Sequence, residues 1–212
     1  NSSDEEKFIS GTDRYIRIHT NILNKVINDP TIAIIFKPKR IKNFYKHLKK
    51  IQLLFEQALK TDRVIVLGSE NNSMPPANVL SISDYAIHSN FSSATAGIES
   101  ILSKTPTMFL NDHSLKEGKM YEYGKNEFIF DSLEQIWKQI DYLSSKKIKF
   151  EEIYSNQFLD FLDPYRDGGS NIRIYEYIND LKINLTKGFD KKTAINIANK
   201  NFIIKWGPDK VI

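Results

Sequence analysis

Small polar side chains between residues 89 and 97 are the clearest sign of chemistry in this sequence. The hydroxyl and amide residues of this stretch are Ser89, Asn90, Ser92, Ser93 and Thr95. Small side chains leave the backbone uncovered, and N–H groups at a helix start carry partial positive charge. With Gly97 allowing close approach of the helix or of a ligand, residues 90–97, here named the cradle segment, could hold a phosphate.

The same residues have an ordinary structural interpretation. Ser92 or Ser93 could act only as the N-cap of the following helix, since serine is among the residues preferred at that position. Thr95 and Glu99 would then be ordinary helix residues. Residue types alone leave the phosphate site and the simple N-cap both open.

Two further residues lie where ligands bind in open parallel sheets, at the carboxyl ends of predicted strands. Lys37 follows one apolar run and could neutralise a phosphate, or it is a solvated strand end. His88 precedes the cradle segment and either contacts the ligand or is a core histidine bonded to backbone. The histidines and acids show no metal-ligand spacing, so we expect no metal. The absence of cysteine excludes disulfides and thiolate sites.

Regular alternation of strands and helices must position these residues. Short apolar runs predict strands at 31–36, 63–67, 84–88, 107–110 and 127–130. Helical periodicity predicts helices at 14–27, 41–59, 75–82, 94–102 and 132–143, the last with Asp131 as N-cap. Such βαβ units predict an α/β domain with a doubly wound, Rossmann-like parallel sheet. We therefore expect a linker at 1–13, a nucleotide-binding domain at 14–145 and a helical extension at 146–212.

Composition limits the classes of function. The 212 residues carry a net charge of +4, and no apolar run approaches the roughly 20 residues needed to span a bilayer. Lysines cluster at 37–50, 146–149 and 187–192, which suits a phosphate ligand, a peripheral membrane contact or simply solvated helix faces. Basic and aromatic residues do not interleave, so no nucleic-acid partner is expected. The composition is typical of a cytoplasmic protein, with the inner face of the plasma membrane as an alternative site.

A resemblance to known enzymes emerges from residues 82–107. An aspartate opens a strand, a Ser/Thr-rich loop and an acid-bearing helix follow, and Lys104-Thr105-Pro106 turns into the next strand. This pattern resembles the donor-binding segment of GT-B glycosyltransferases, over roughly residues 32–143. UDP-sugar 2-epimerases and CDP-polyol phosphotransferases share it. Residues 162–178, with Asp163-Pro164-Tyr165-Arg166-Asp167-Gly168, are similar to a stretch near the end of bacterial surface-polysaccharide transferases.

The resemblance implies roles for individual residues. Ser92, Ser93 and Thr95 would hold the donor phosphates, Glu99 would accept hydrogen bonds from the ribose, and Lys37 would neutralise the leaving nucleotide. Arg166, Asp167 and Arg173, like His88 and Asn90, would contact donor or acceptor. From the residues alone, Arg166 and Arg173 could equally form ion pairs with Asp163 or Asp167, and Ser170 would cap the following helix.

The implied reaction is transfer of a sugar from a nucleotide-sugar to a growing polysaccharide or lipid-linked acceptor, with no cofactor or metal. In this family the general base usually belongs to a separate N-terminal domain, for which these residues hold no second set of strands. We therefore expect this chain alone to bind nucleotide weakly and to turn over little. A 2-epimerase, a CDP-polyol phosphotransferase and a non-catalytic nucleotide-binding module are the alternatives.

Overall fold

The computed structural model describes residues 11–68, 75–91, 94–112 and 115–207. They form two compact units, one extending to Ile153 and one beginning at Tyr154. The first unit combines parallel strands with helices, and the second is helical. The first unit is therefore of the α/β class, as the alternating pattern predicted.

The elements of the first unit follow one another in the predicted rhythm. Its strands are β1 (Ile34–Phe36), β2 (Val64–Val66), β3 (Ala86–His88), β4 (Thr107–Leu110) and β5 (Ile129–Phe130). Its helices are α1 (Gly11–Asn28), α2 (Ile41–Leu48), α3 (Gln52–Leu59), α4 (Pro76–Leu80), α5 (Thr95–Leu102), α6 (Lys119–Gly124), α7 (Leu133–Lys146) and α8 (Phe150–Ile153). A 3-10 turn at Lys49–Ile51 separates α2 from α3.

The strands are divided between two parallel sheets. β1 pairs with β2, and β4 lies between β3 and β5. Every residue of β4 is buried, as expected for the central strand of a parallel sheet covered on both faces. One continuous doubly wound sheet is thus not confirmed, because the described residues form two sheets and not one.

Helices of the first unit pack in two groups. Helix α4 packs against α5, whereas α1 packs against α2 and α3. On α1, Asn21 also accepts a hydrogen bond from the indole Nε1 of Trp137 in α7, at 2.9 Å. Helix α1 therefore contacts α3, which lies between β1 and β2 in the chain, and α7, which follows β5.

Several predicted boundaries are corrected. The helix predicted at 41–59 is broken by the 3-10 turn. The N-cap of α7 is Ser132 and not Asp131: its hydroxyl accepts the N–H of Gln135, whose side chain in return accepts the N–H of Asp131. This reciprocal arrangement resembles a capping box and fixes the helix start.

The second unit contains α9 (Asn156–Leu162), α10 (Ser170–Thr186) and α11 (Lys191–Trp206). Helices α10 and α11 pack against each other and are joined by a short turn, so they form a helical hairpin. Small buried residues, Ala194 and Ala198, allow α11 to lie close to α10. Within the described parts of both units, no helix has the length and apolar character needed to cross a bilayer.

Candidate functional site

The start of α5 is the structural counterpart of the predicted phosphate site. Strand β3 ends at His88, and α5 begins at Thr95 after the N-cap Ala94. Ala94 has no side-chain acceptor, so it cannot cap the first N–H groups as a serine would. The N-cap is therefore neither Ser92 nor Ser93, and these two predicted phosphate ligands lie outside the described residues.

Gly97 brings α5 against the sheet. A Cβ on Gly97 would lie 2.2 Å from Cε1 of Phe109 and 3.2 Å from Cγ of His88. Since Phe109 is fully buried in β4, only glycine permits this approach. The close contact predicted for Gly97 is thus between helix and sheet, and it sets how near the α5 start lies to the ends of β3 and β4.

His88 has the environment of a core histidine. Its ring is half-buried, with its centroid 5.7 Å from that of Phe109, and its Nδ1 accepts the N–H of Asn90 at 3.4 Å. Burial lowers the pKa of His88 below its ordinary value, because the charged imidazolium loses hydration. A neutral ring bonded to backbone agrees with the structural interpretation, and it ties Asn90 to the end of β3.

An arginine that the sequence did not single out reaches the loop after β3. Arg14, in the first turn of α1, donates a hydrogen bond to the carbonyl oxygen of Ser89. Its guanidinium also contacts the carboxylate of Asp112: Nη2 donates to Oδ1 at 2.6 Å, and Nε lies 3.0 Å from both oxygens. Arg17 donates to Oδ2 of the same carboxylate at 2.8 Å. One nearly buried carboxylate, 6% exposed, thus holds two guanidinium groups.

These contacts place several strand ends around the first half of α1. Ser89 follows β3 and Asp112 follows β4, and both bind Arg14. His19 stacks against Phe36, the last residue of β1, with ring centroids 5.4 Å apart. The carboxyl ends of β1, β3 and β4 therefore face the same region of the first unit, where ligands bind in open parallel sheets.

The other predicted residues of the first unit that the structure describes are Lys37, Thr95 and Glu99. Lys37 follows directly after β1 and is half-buried. Thr95 and Glu99 are exposed on α5 and lie four positions apart, so they share one helix face. The structure thus places Thr95 and Glu99 beside each other, while Lys37 belongs to the other sheet.

Residues 163–173 contact one another within the second unit. Arg173, only 4% exposed, donates two hydrogen bonds of 2.9 Å to the carboxylate of Asp167 and lies over the ring of Tyr165. The hydrogen bonds from Arg173 lower the pKa of Asp167 to about 2. Arg173 thus forms the ion pair with Asp167 that the sequence offered as one of two interpretations.

Arg166 and Ser170 differ from their predicted arrangement. The side chain of Arg166 pairs with Asp160 at 2.6 Å and not with Asp163 or Asp167, and it also donates hydrogen bonds to Asn156 at the start of α9. The N-cap of α10 is Gly169, and Ser170 is the first helical residue. Both arginines are therefore engaged by carboxylates of their own unit.

Within the ranges that the structure describes, no three histidine or acidic side chains are grouped to hold a metal ion. The sequence matches no family model. Comparisons with curated proteins and with solved structures likewise found no match.

Proposed function

We propose that this chain is the donor-binding half of a glycosyltransferase that acts on a bacterial surface polysaccharide or lipopolysaccharide. The observation that carries the proposal is the position of the α5 start. It follows the carboxyl end of β3, lies close to the sheet through Gly97, and has an N-cap without a side-chain acceptor. A helix start with this geometry suits the phosphates of a nucleotide-sugar.

We further propose that the five strands follow the doubly wound order 2-1-3-4-5. In that order, right-handed crossovers put α4 and α5 on one face and α3 on the other, with α1 beside both α3 and α7. The observed packing of α4 with α5, of α1 with α3, and the Asn21 to Trp137 hydrogen bond all agree with this arrangement. The strand order then reverses between β1 and β3, which is the ligand position in such sheets.

In the proposed reaction an acceptor hydroxyl attacks the anomeric carbon of the donor sugar. The new bond joins this carbon to the acceptor oxygen, the bond to the donor phosphate oxygen breaks, and the nucleotide leaves with the electron pair. A general base outside the described site takes the acceptor proton. N–H groups of the α5 start, the hydroxyl of Thr95 and the ammonium of Lys37 would stabilise the charge that develops on the phosphate.

Two further residues would support binding. Glu99, one turn after Thr95 on the same exposed face, would accept hydrogen bonds from the ribose hydroxyls. Arg14 would act as a positioning residue, because its hydrogen bond to the Ser89 carbonyl fixes the chain just before the cradle segment. Asp112 in turn fixes the Arg14 guanidinium through three contacts.

A screen for nucleotide binding tests the proposal. Thermal-shift and calorimetric measurements with UDP, CMP, CDP, GDP and TDP should detect at least one ligand. Thr95→Ala and Ser93→Ala should each weaken that binding by about 1.5–3 kcal/mol, the usual contribution of a hydrogen bond to a charged group. Thr186→Ala, which removes an exposed hydroxyl on α10, is the matched control. If none of the five nucleotides shifts the unfolding temperature, the proposed site does not exist.

A further inference from the structure

The end of α10 and the turn that joins it to α11 expose apolar side chains. We name residues 182–192, which include the end of α10, the turn and the start of α11, the hairpin tip. Ile183, Leu185 and Phe189 are 41%, 50% and 44% exposed there. Ile183 and Leu185 lie in the last turn of α10 and Phe189 lies in the turn that follows. Exposed large apolar side chains grouped in this way favour a partner that removes them from water.

Lysines surround these apolar side chains. Lys182, Lys187, Lys191 and Lys192 are all exposed, and Asp190 is the one acidic residue of the hairpin tip. The Asp190 carboxylate is the N-cap of α11 and accepts the N–H groups of Lys192 and Thr193. The hairpin tip therefore presents positive charge beside exposed apolar groups.

The backbone of the hairpin tip is already satisfied by its own hydrogen bonds. Gly188, at φ 86°, donates its N–H to the carbonyl of Leu185, and Phe189 donates to the carbonyl of Asn184. These two bonds form the Schellman motif that closes a helix. Lys187 donates to Ile183 in the same turn. Such a turn can enter a region with little water without leaving these backbone donors unpaired.

We infer that the hairpin tip docks on an anionic phospholipid bilayer. Apolar side chains would enter the region between headgroups and acyl chains, and the four lysines would meet the lipid phosphates. A protein partner fits less well, because lysine is depleted in the buried core of protein interfaces while apolar groups are concentrated there. This inference is independent of nucleotide binding, since the hairpin tip contains none of the residues of the proposed donor site.

Vesicle sedimentation with the full chain tests the inference. We expect binding to vesicles of phosphatidylcholine with about 30% phosphatidylglycerol and little binding to phosphatidylcholine alone, because each lysine beside an anionic leaflet contributes about fivefold. The variant K187E/K191E/K192E should bind about a hundredfold more weakly. Phe189→Ser should lose roughly tenfold, since it removes the largest inserted side chain.

The matched control is K46E/K49E/K50E, which makes the same change in net charge on α2 and the following 3-10 turn of the first unit. It should keep most of the binding, and circular dichroism should show that every variant is folded. Failure of the unaltered chain to bind anionic vesicles would overturn the inference. So would an equal loss in the control, or a light-scattering measurement of dimers that disappear with Phe189→Ser, since the hairpin tip would then bind a second copy.

Discussion

Replacing Gly97 by alanine tests the packing that places the proposed donor site. The added Cβ would lie 2.2 Å from Cε1 and 2.6 Å from Cζ of Phe109. The Phe109 ring is fully buried and lies within 6.3 Å of the rings of Phe91, Phe128 and His88, measured between centroids. Because the ring has no free space to enter, α5 must move away from the sheet.

Two opposing effects set the change in the free energy of unfolding that Gly97→Ala causes. Alanine favours the helix over glycine by about 1 kcal/mol, whereas overpacking a close-packed core costs about 1–3 kcal/mol or more. A contact as short as 2.2 Å belongs at the upper end of that range. We therefore expect Gly97→Ala to lower the free energy of unfolding by about 1–2 kcal/mol, or the unfolding temperature by roughly 2–8 °C.

Thermal and urea unfolding measure this change, with Gly11→Ala as the matched control. Gly11 is also helical, but its added Cβ would meet nothing within 4 Å, so the control should be neutral or slightly stabilising. Gly97→Ala should also weaken the binding of the nucleotide found in the screen, because the N–H groups at the start of α5 are displaced. A Gly97→Ala protein at least as stable as the unaltered chain would refute the packing argument.

Four further substitutions test other contacts. Arg14→Gln should weaken nucleotide binding by about 1–3 kcal/mol because the loop after β3 loses its charged donor; Arg17→Gln, which leaves that hydrogen bond in place, should have a much smaller effect in the same calorimetric titration. His88 has a pKa below its ordinary value, so its contribution to stability is complete above about pH 6.5 and is lost as the pH falls through its folded pKa. His88→Gln should therefore flatten the fall in urea-unfolding free energy between about pH 7 and pH 5. Asp167 has a folded pKa of about 2, so its ion pair stabilises the fold above its usual pKa and that stability is lost as the pH falls toward 2; Asp167→Asn should lower the unfolding temperature at neutral pH and reduce its acid dependence, and an unchanged acid profile would contradict the pair. The hydroxyl of Tyr165 is buried without a hydrogen-bond partner in the described part of the chain, so Tyr165→Phe should leave the unfolding temperature unchanged or raise it, and a clear decrease would reveal a missing partner.

The strands could be predicted where burial and apolar character coincide. The run at 107–110 is β4 as predicted, since a strand covered on both faces needs apolar residues at every position. The run at 127–130 is a strand only at Ile129 and Phe130, because Phe128 donates its N–H to the carbonyl of Gly124 and belongs to a turn. Phe128 is nevertheless 1% exposed, so apolar character reports its burial and not its backbone conformation.

In the candidate site, likewise, contacts between residues close in sequence could be predicted and contacts between distant residues could not. The Asp167 and Arg173 pair could be expected from the sequence, because residues six apart across a glycine turn meet readily. The contact of Arg14 with Asp112 spans 98 residues, and nothing in the local pattern around either residue indicates the other. Only the packing of α1 beside the ends of β3 and β4 brings them together, so this part of the site needed the tertiary structure.

The Asp167–Arg173 pair and the start of α5 differ in how well they could bind the phosphate of the proposed donor. Both carboxylate oxygens of Asp167 and both terminal nitrogens of Arg173 are already used within the second unit. A phosphate would have to displace the half-exposed carboxylate of Asp167 before it could bind the buried guanidinium of Arg173. At the start of α5, Thr95 is exposed and the N-cap offers no competing acceptor. We therefore expect an anion to bind at the junction of β3 and α5 and not at Arg173, and the effect of Thr95→Ala on nucleotide affinity is the decisive measurement for the proposed function.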